Sequence, residues 1–104
     1  MDKFDIIIVG GGPAGIFCAL ELLDHLPDLK ILIIEKGKDI DKRQCPISIR
    51  GGLCLSCPEC DLLSGWGGAG AFSDGKLNLS PEIGGFLLRY LHVSILQDLI
   101  EHVD

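Results

Sequence analysis

The run Ile6-Ile7-Ile8-Val9-Gly10-Gly11-Gly12-Pro13-Ala14-Gly15 decides the fold. An apolar stretch over residues 4–9 predicts a strand, the spacing G-x-G-x-x-G predicts a sharp turn, and Ile16, Ala19, Leu20, Leu23 and Leu26 recur at helical period over residues 13–26. Each glycine has its own physical reason. Gly10 permits the turn, Gly12 leaves room for a phosphate to approach the backbone, and Gly15 lets helix and strand pack closely. Pro13 suits the first helical turn, where its missing N–H is no loss. The unpaired amides of that turn, with the helix dipole behind them, face an anion.

Outward from this turn, Pro27 and Asp28 end the helix, and Lys30-Ile31-Leu32-Ile33-Ile34-Glu35 predicts a second strand, buried on both faces as in a parallel sheet. A helix between two parallel strands makes a right-handed crossover. Glu35 closes the second strand about 20 residues after the last glycine, where an acid meets the adenosine ribose hydroxyls of a dinucleotide. Its charge would repel a 2′-phosphate, which disfavours NADP. The expected fold is α/β, a Rossmann-like βαβ unit for FAD or NAD(P).

Beyond residue 35 the periodicity disappears. Residues 36–65 read as a long functional loop rich in glycine, proline, charge and cysteine. Then come Gly65-Trp66-Gly67-Gly68-Ala69-Gly70 and a hairpin expected over residues 71–79 around Asp74-Gly75. A short segment from Gly84-Gly85 to Leu91 reads as helical. Ser94 with Gln97 forms a capping-box pattern for a last helix carrying Ile95, Leu96, Leu99, Ile100 and Val103 on one face.

The chain of 104 residues has 47% hydrophobic residues and a net charge of −6, which suits a globular segment and argues against nucleic-acid binding. A complete dinucleotide-binding domain usually needs more chain. The last helix also stops at Asp104 without a terminating residue. Residues 1–104 are therefore expected to be the N-terminal part of a longer FAD-binding domain. Asp5 and the glycines interrupt the apolar start, so neither a signal peptide nor a membrane span is read, and the cytoplasm is the expected location.

With these pieces in place, the chain resembles the N-terminal part of the FAD-dependent (FAD-utilising) dehydrogenases, which are NAD(P)/FAD-dependent oxidoreductases. The resemblance rests on residues 6–15, on Glu35-Lys36-Gly37, on Cys45-Pro46 and the cysteines at 54–60, and above all on residues 64–77, from Ser64-Gly65-Trp66 to Lys76-Leu77. It implies a glutathione-reductase-type flavoprotein, in which Gly10, Gly12, Pro13, Ala14 and Gly15 meet the FAD pyrophosphate, Glu35 holds the ribose and Lys36 lies beside it. Gly67, Gly68 and Ala69 take the position where related flavoproteins pass close to the cofactor. Full-length members would transfer hydride between a substrate and the flavin, while this stretch alone is expected to be inactive. The resemblance leaves the substrate, the electron donor or acceptor and the catalytic residues unassigned. FAD is preferred over NAD because the fingerprint opens the chain, where a tightly held flavin usually sits.

Cys45, Cys54, Cys57 and Cys60 have the spacing C-x8-C-x2-C-x2-C. This suits an iron–sulfur cluster or tetrahedral zinc, while Cys54 and Cys57 also fit a dithiol that exchanges electrons with the flavin. Reduced, idle thiols fit as well, and the spacing does not choose among them. A metal-binding or electron-transfer module on a βαβ scaffold, or a non-catalytic fragment, are the rival readings of the whole chain. Cys18 lies within the first helix and reads as a small core residue. His25, His92 and His102 read as surface or capping residues, Trp66 as either a packing anchor or a neighbour of the flavin, and Arg43 as one charge among many in the loop. No Ser/His/Asp triad, HExxH helix or GxxxxGK[ST] loop supports hydrolase chemistry.

Overall fold

The computed structural model describes residues 2–104. Strand β1 spans Ile6–Val9, helix α1 Pro13–His25 and strand β2 Ile31–Ile34. The two strands are parallel, with Ile6 opposite Ile31 and Val9 opposite Ile34. This is the expected βαβ unit, each element one or two residues shorter than its apolar run. Strand-strand bonding is extended at both ends, where the Asp5 and Ile6 N–H groups donate to the Lys30 carbonyl and the Gly10 N–H donates to the Ile34 carbonyl at 2.8 Å. Asp5 adds a side-chain tie, its carboxylate accepting the Lys30 N–H at 2.9 Å.

Two strands with one crossover helix cover little of each other. Ala19 on α1 is buried, but Ile7 and Val9 remain 59% and 84% exposed. A parallel strand normally has both faces covered, so the pattern is that of an incomplete Rossmann-like unit.

The long loop is more ordered than its lack of periodicity suggests. It holds a 3-10 turn at Ile40–Lys42 and a short helix α2 at Pro46–Arg50, with Cys45 as N-cap and Pro46 in the first turn. The Cys45-Pro46 pair was the readable signal for that helix. The loop closes on Ala69–Phe72, a 3-10 turn.

The chain divides into two units, Met1–Ser73 and Asp74–Asp104. The expected hairpin over residues 71–79 is not formed. Residues 74–79 have no strand pairing, and the Lys76 N–H instead folds back on the Asp74 carboxylate at 3.2 Å, with Gly75 at φ 74°. Asp74-Gly75 makes the turn, but the preceding residues are wound into the 3-10 turn and offer no strand to pair.

In the second unit, the segment from Gly84 to Leu91 contains only a 3-10 turn, Leu87–Arg89, and helix α3 runs over Val93–Val103. The cap of α3 differs from the expected box. His92 is the N-cap, its Nδ1 accepting the Ser94 N–H at 3.3 Å. Helix formation therefore begins one residue before Ser94. Leu96 is buried, and Leu99, Ile100 and Val103 line an apolar hollow of about 300 Å³ with Leu77, Leu79 and Leu87.

Candidate functional site

The three fingerprint glycines are separated by their geometry. Gly10 has φ 108°, a left-handed conformation that only glycine adopts without strain. Gly15 is required by packing, because a Cβ there would collide with the Gly10 carbonyl and lie 3.2 Å from the Ile8 side chain. Gly12 is different. It is the N-cap of α1 with an ordinary φ of −84°, and a Cβ would find only the Gly68 Cα, at 4.0 Å.

Helix α1 begins without a side-chain cap, and the earliest bond of the helix joins the Ile16 N–H to the Gly12 carbonyl. The N–H groups of Ala14 and Gly15 precede that bond and belong to the open first turn. Pro13 and Ala14 are exposed there.

Glu35 follows β2 and faces this turn. One carboxylate oxygen accepts the Gly11 N–H at 2.7 Å and the other the Gly37 N–H at 2.8 Å. These two amides, Gly37 first, hold its pKa below the usual carboxylate range, with smaller help from Lys36 and Arg43 and against some desolvation. Each oxygen keeps a lone pair for a further donor. Gly11, absent from the expected site, is thus the residue that joins the turn to the acid. It is also buried under Trp66, whose ring carbon would stand 2.7 Å from a Cβ at Gly11. Its exclusion of a side chain was signalled only by the unbroken Gly10-Gly11-Gly12 run.

The second glycine segment lies against the first. The Gly67 N–H donates to the Gly11 carbonyl at 2.8 Å, and a Cβ at Gly68 would come within 3.2 Å of the Gly12 Cα. Ala69, which starts the following 3-10 turn, is exposed. Gly10, Glu35, Lys36 and Gly68 line one groove of about 350 Å³. Trp66 anchors packing on Gly11 rather than standing apart on the surface.

Arg43 holds this second segment in place. It is only 4% exposed, and its guanidinium donates to the carbonyls of Asp61, Leu62, Trp66 and Gly68 at 2.7 to 2.9 Å. Its charge lies 4.8 Å from the centre of the Phe72 ring. The fork of N–H donors explains why arginine is used, since four carbonyls in a loop without ladder partners need donors in fixed directions. Nothing in the spacing of the sequence singles this arginine out from the other loop charges.

The four loop cysteines line a second cavity, of about 430 Å³, with Lys38, Asp61 and Leu63. None forms a disulfide, and among the described residues no three His, Cys, Asp or Glu side chains converge to hold a single ion. The cysteines expected from their spacing to hold an iron–sulfur cluster or zinc share a cavity but form no metal-ligand group among the described residues. The neighbouring helix-start amides, Ile47 first and then Ser48 with its hydroxyl, hold the Cys45 thiol below its usual value, against burial and the Asp61 charge. Asp61 bonds to the Lys38 ammonium at 2.7 Å, which lowers the carboxyl and raises the amine. Cys18 is exposed on α1 rather than in a core. His25 meets Glu21 one turn earlier at 3.1 Å, a surface pairing. Among the described residues no helix is long and apolar enough to cross a membrane.

Residues 4–52 match the pyridine nucleotide-disulphide oxidoreductase family. A protein of Clostridium beijerinckii described as uncharacterized is 46% identical over 74 residues, 68% of this chain and 13% of the relative. A probable electron transfer flavoprotein-ubiquinone oxidoreductase of Acinetobacter baylyi is 40% identical over 36% of this chain and 8% of its own length. A putative FAD-dependent oxidoreductase, LodB of Marinomonas mediterranea, is 46% identical over 36% of this chain and 10% of its own length. The chain therefore spans only about a tenth of the length of these curated relatives. No solved structure matches it. Residues 4–52 are thus similar to the pyridine nucleotide-disulphide oxidoreductase family, and flavoprotein oxidoreductases are among the relatives that the chain resembles.

Proposed function

We propose that this chain binds the pyrophosphate and adenosine end of FAD, as the nucleotide-binding segment of a flavin-dependent oxidoreductase. Gly12 carries the reading. Neither backbone strain nor contact within the chain accounts for glycine at this position, since its φ is ordinary and a Cβ would be accommodated. Space kept for an approaching phosphate does account for it. The open first turn of α1, with the N–H groups of Ala14 and Gly15, supplies donors and a favourable dipole for that anion.

Glu35 takes the ribose. Two amides fix its carboxylate and keep it charged, leaving acceptor capacity toward the groove that it lines with Lys36, Gly10 and Gly68. A fixed anion there selects free 2′ and 3′ hydroxyls and disfavours a 2′-phosphate. Gly67 and Gly68 close on the turn from the other side, the Gly67 N–H donating to the Gly11 carbonyl and Gly68 lying against the Pro13 ring and the Gly12 Cα.

Bound flavin supplies hydride transfer, and the residues described here supply binding and orientation. The named relatives, an electron-transfer flavoprotein oxidoreductase and an FAD-dependent oxidoreductase, support that class of chemistry. The test is FAD binding followed by flavin fluorescence, with NAD and NADP as competitors. Saturable FAD binding that weakens at least tenfold in Glu35→Arg is the expected result. Equal affinity in that variant would show the acid to be purely structural.

A further inference from the structure

The carbonyls gathered by Arg43 fall into two pairs. Nε donates to the Asp61 carbonyl at 2.8 Å and Nη2 to the Leu62 carbonyl at 2.9 Å, at the end of the long loop. Nη1 donates to the Trp66 carbonyl at 2.7 Å and to the Gly68 carbonyl at 2.9 Å, within the second glycine segment. All these partners are neutral, so peptide dipoles alone meet the charge of a cation only 4% exposed. What the arrangement fixes is direction, because a planar guanidinium offers its donors along set lines.

That direction is passed on to the nucleotide turn. The peptide joining Trp66 to Gly67 gives its carbonyl to Arg43 and its N–H to the Gly11 carbonyl at 2.8 Å, and the Gly11 N–H in turn meets the Glu35 carboxylate at 2.7 Å. Gly68, held by the same Nη1, lies against Pro13 and Gly12 and lines the groove that contains Glu35 and Lys36. One side chain thus reaches both the phosphate turn and the ribose acid through backbone groups. The segment has little direction of its own, with Gly65, Gly67 and Gly68 all at positive φ. Besides the bond from Gly67 to Gly11, its backbone tie to the rest of the unit is the Trp66 N–H donating to the Lys38 carbonyl at 2.9 Å.

We propose that Arg43 is a positioning residue of the nucleotide site. Without touching the cofactor, its guanidinium fixes the second glycine segment against the fingerprint turn and so preserves the geometry in which the site holds FAD. This role rests on the nucleotide reading of the same site.

Trp66, the single tryptophan of the chain, packs on Gly11 and reports the position of the segment with no cofactor present. The test is acrylamide quenching of Trp66 fluorescence and FAD titration on the same samples, with circular dichroism to establish that each variant is folded. Arg43→Lys keeps the charge but loses the fork, and should raise quenching about twofold and weaken FAD binding about tenfold. In Arg43→Ala, added ethylguanidinium replaces the missing atoms and should restore both readings, whereas ethylammonium carries the same charge without the fork and should restore neither. Equal recovery with both cations, or recovery with neither, would overturn the proposal, as would wild-type quenching in Arg43→Lys. If Arg43→Lys does not fold, the comparison of the two cations on Arg43→Ala decides the matter. A wild-type chain that shields Trp66 but binds no FAD would overturn the nucleotide reading itself. A variant with exposed Trp66 and unchanged FAD affinity would overturn the positioning role alone.

Discussion

The two glycine-rich turns of the first unit reach similar ends by different means. At residues 10–15 the sequence itself specifies the turn. Gly10 permits the conformation, Gly15 allows close packing, and the flanking strand and helix fix the direction. At residues 65–70 the glycines provide only freedom, with Gly65, Gly67 and Gly68 all at positive φ. Direction there comes from Arg43, more than 20 residues away, which gathers the Trp66 and Gly68 carbonyls. A turn flanked by regular elements can be encoded locally. A turn inside a loop needs a distant donor.

The comparison can be broken most severely at Gly15. Gly15→Val sets two methyl groups and a Cβ against the Gly10 carbonyl and Ile8, and should cost about 3 kcal/mol, read as a lowered denaturant midpoint. An unchanged midpoint would mean that α1 does not pack on the turn as described. Arg43→Met comes next, at about 2 kcal/mol, because four part-buried carbonyls lose their donors. Arg43→Lys should recover little of that loss, since an ammonium cannot reach carbonyls in four directions. Full rescue by lysine would refute the guanidinium's geometric role.

Gly12→Ala sharpens the contrast from the other side. There is room for the methyl group, so thermal stability should stay within about 0.5 kcal/mol while FAD affinity falls roughly tenfold. Loss of stability with retained binding would reverse the assignment.

The smallest effect concerns pH. The folded pKa of Glu35 is lowered, so its contribution to stability is fully present above the ordinary carboxylate value and is lost as pH falls through the lowered one. Glu35→Gln should therefore flatten the acid side of the stability profile. A wild-type slope retained in that variant would place the acid sensitivity elsewhere, with Asp61 as the next group to replace.

What could be read from the sequence follows the same division. The βαβ unit was legible because Ile6–Val9, the helix period and the run ending at Glu35 each carry a local signal. The partners of Glu35 were not, because Gly11 and Gly37 offer only their backbone amides. The failed hairpin at Asp74-Gly75 shows the limit of a turn signal, which names a bend without guaranteeing strands to join. The substitution of His92 for Ser94 as helix cap has a related cause. A histidine nitrogen at the N-cap can accept an N–H of the first turn, here that of Ser94, as a serine oxygen would from the same position, but simple capping patterns do not include it.

The clasp around Asp61 also bears on how the chain tolerates variation in length. With Lys38, Arg43 and Gln44 all bonded to one residue, the path between them is a side excursion whose ends are fixed independently of what lies within it. Loop-closure entropy grows only logarithmically with length. Gly51 and Gly52, both at positive φ and with open space where a Cβ would stand, mark the point where added residues would disturb neither clasp nor groove. An insertion there would lengthen the excursion while leaving the nucleotide turn at its original setting.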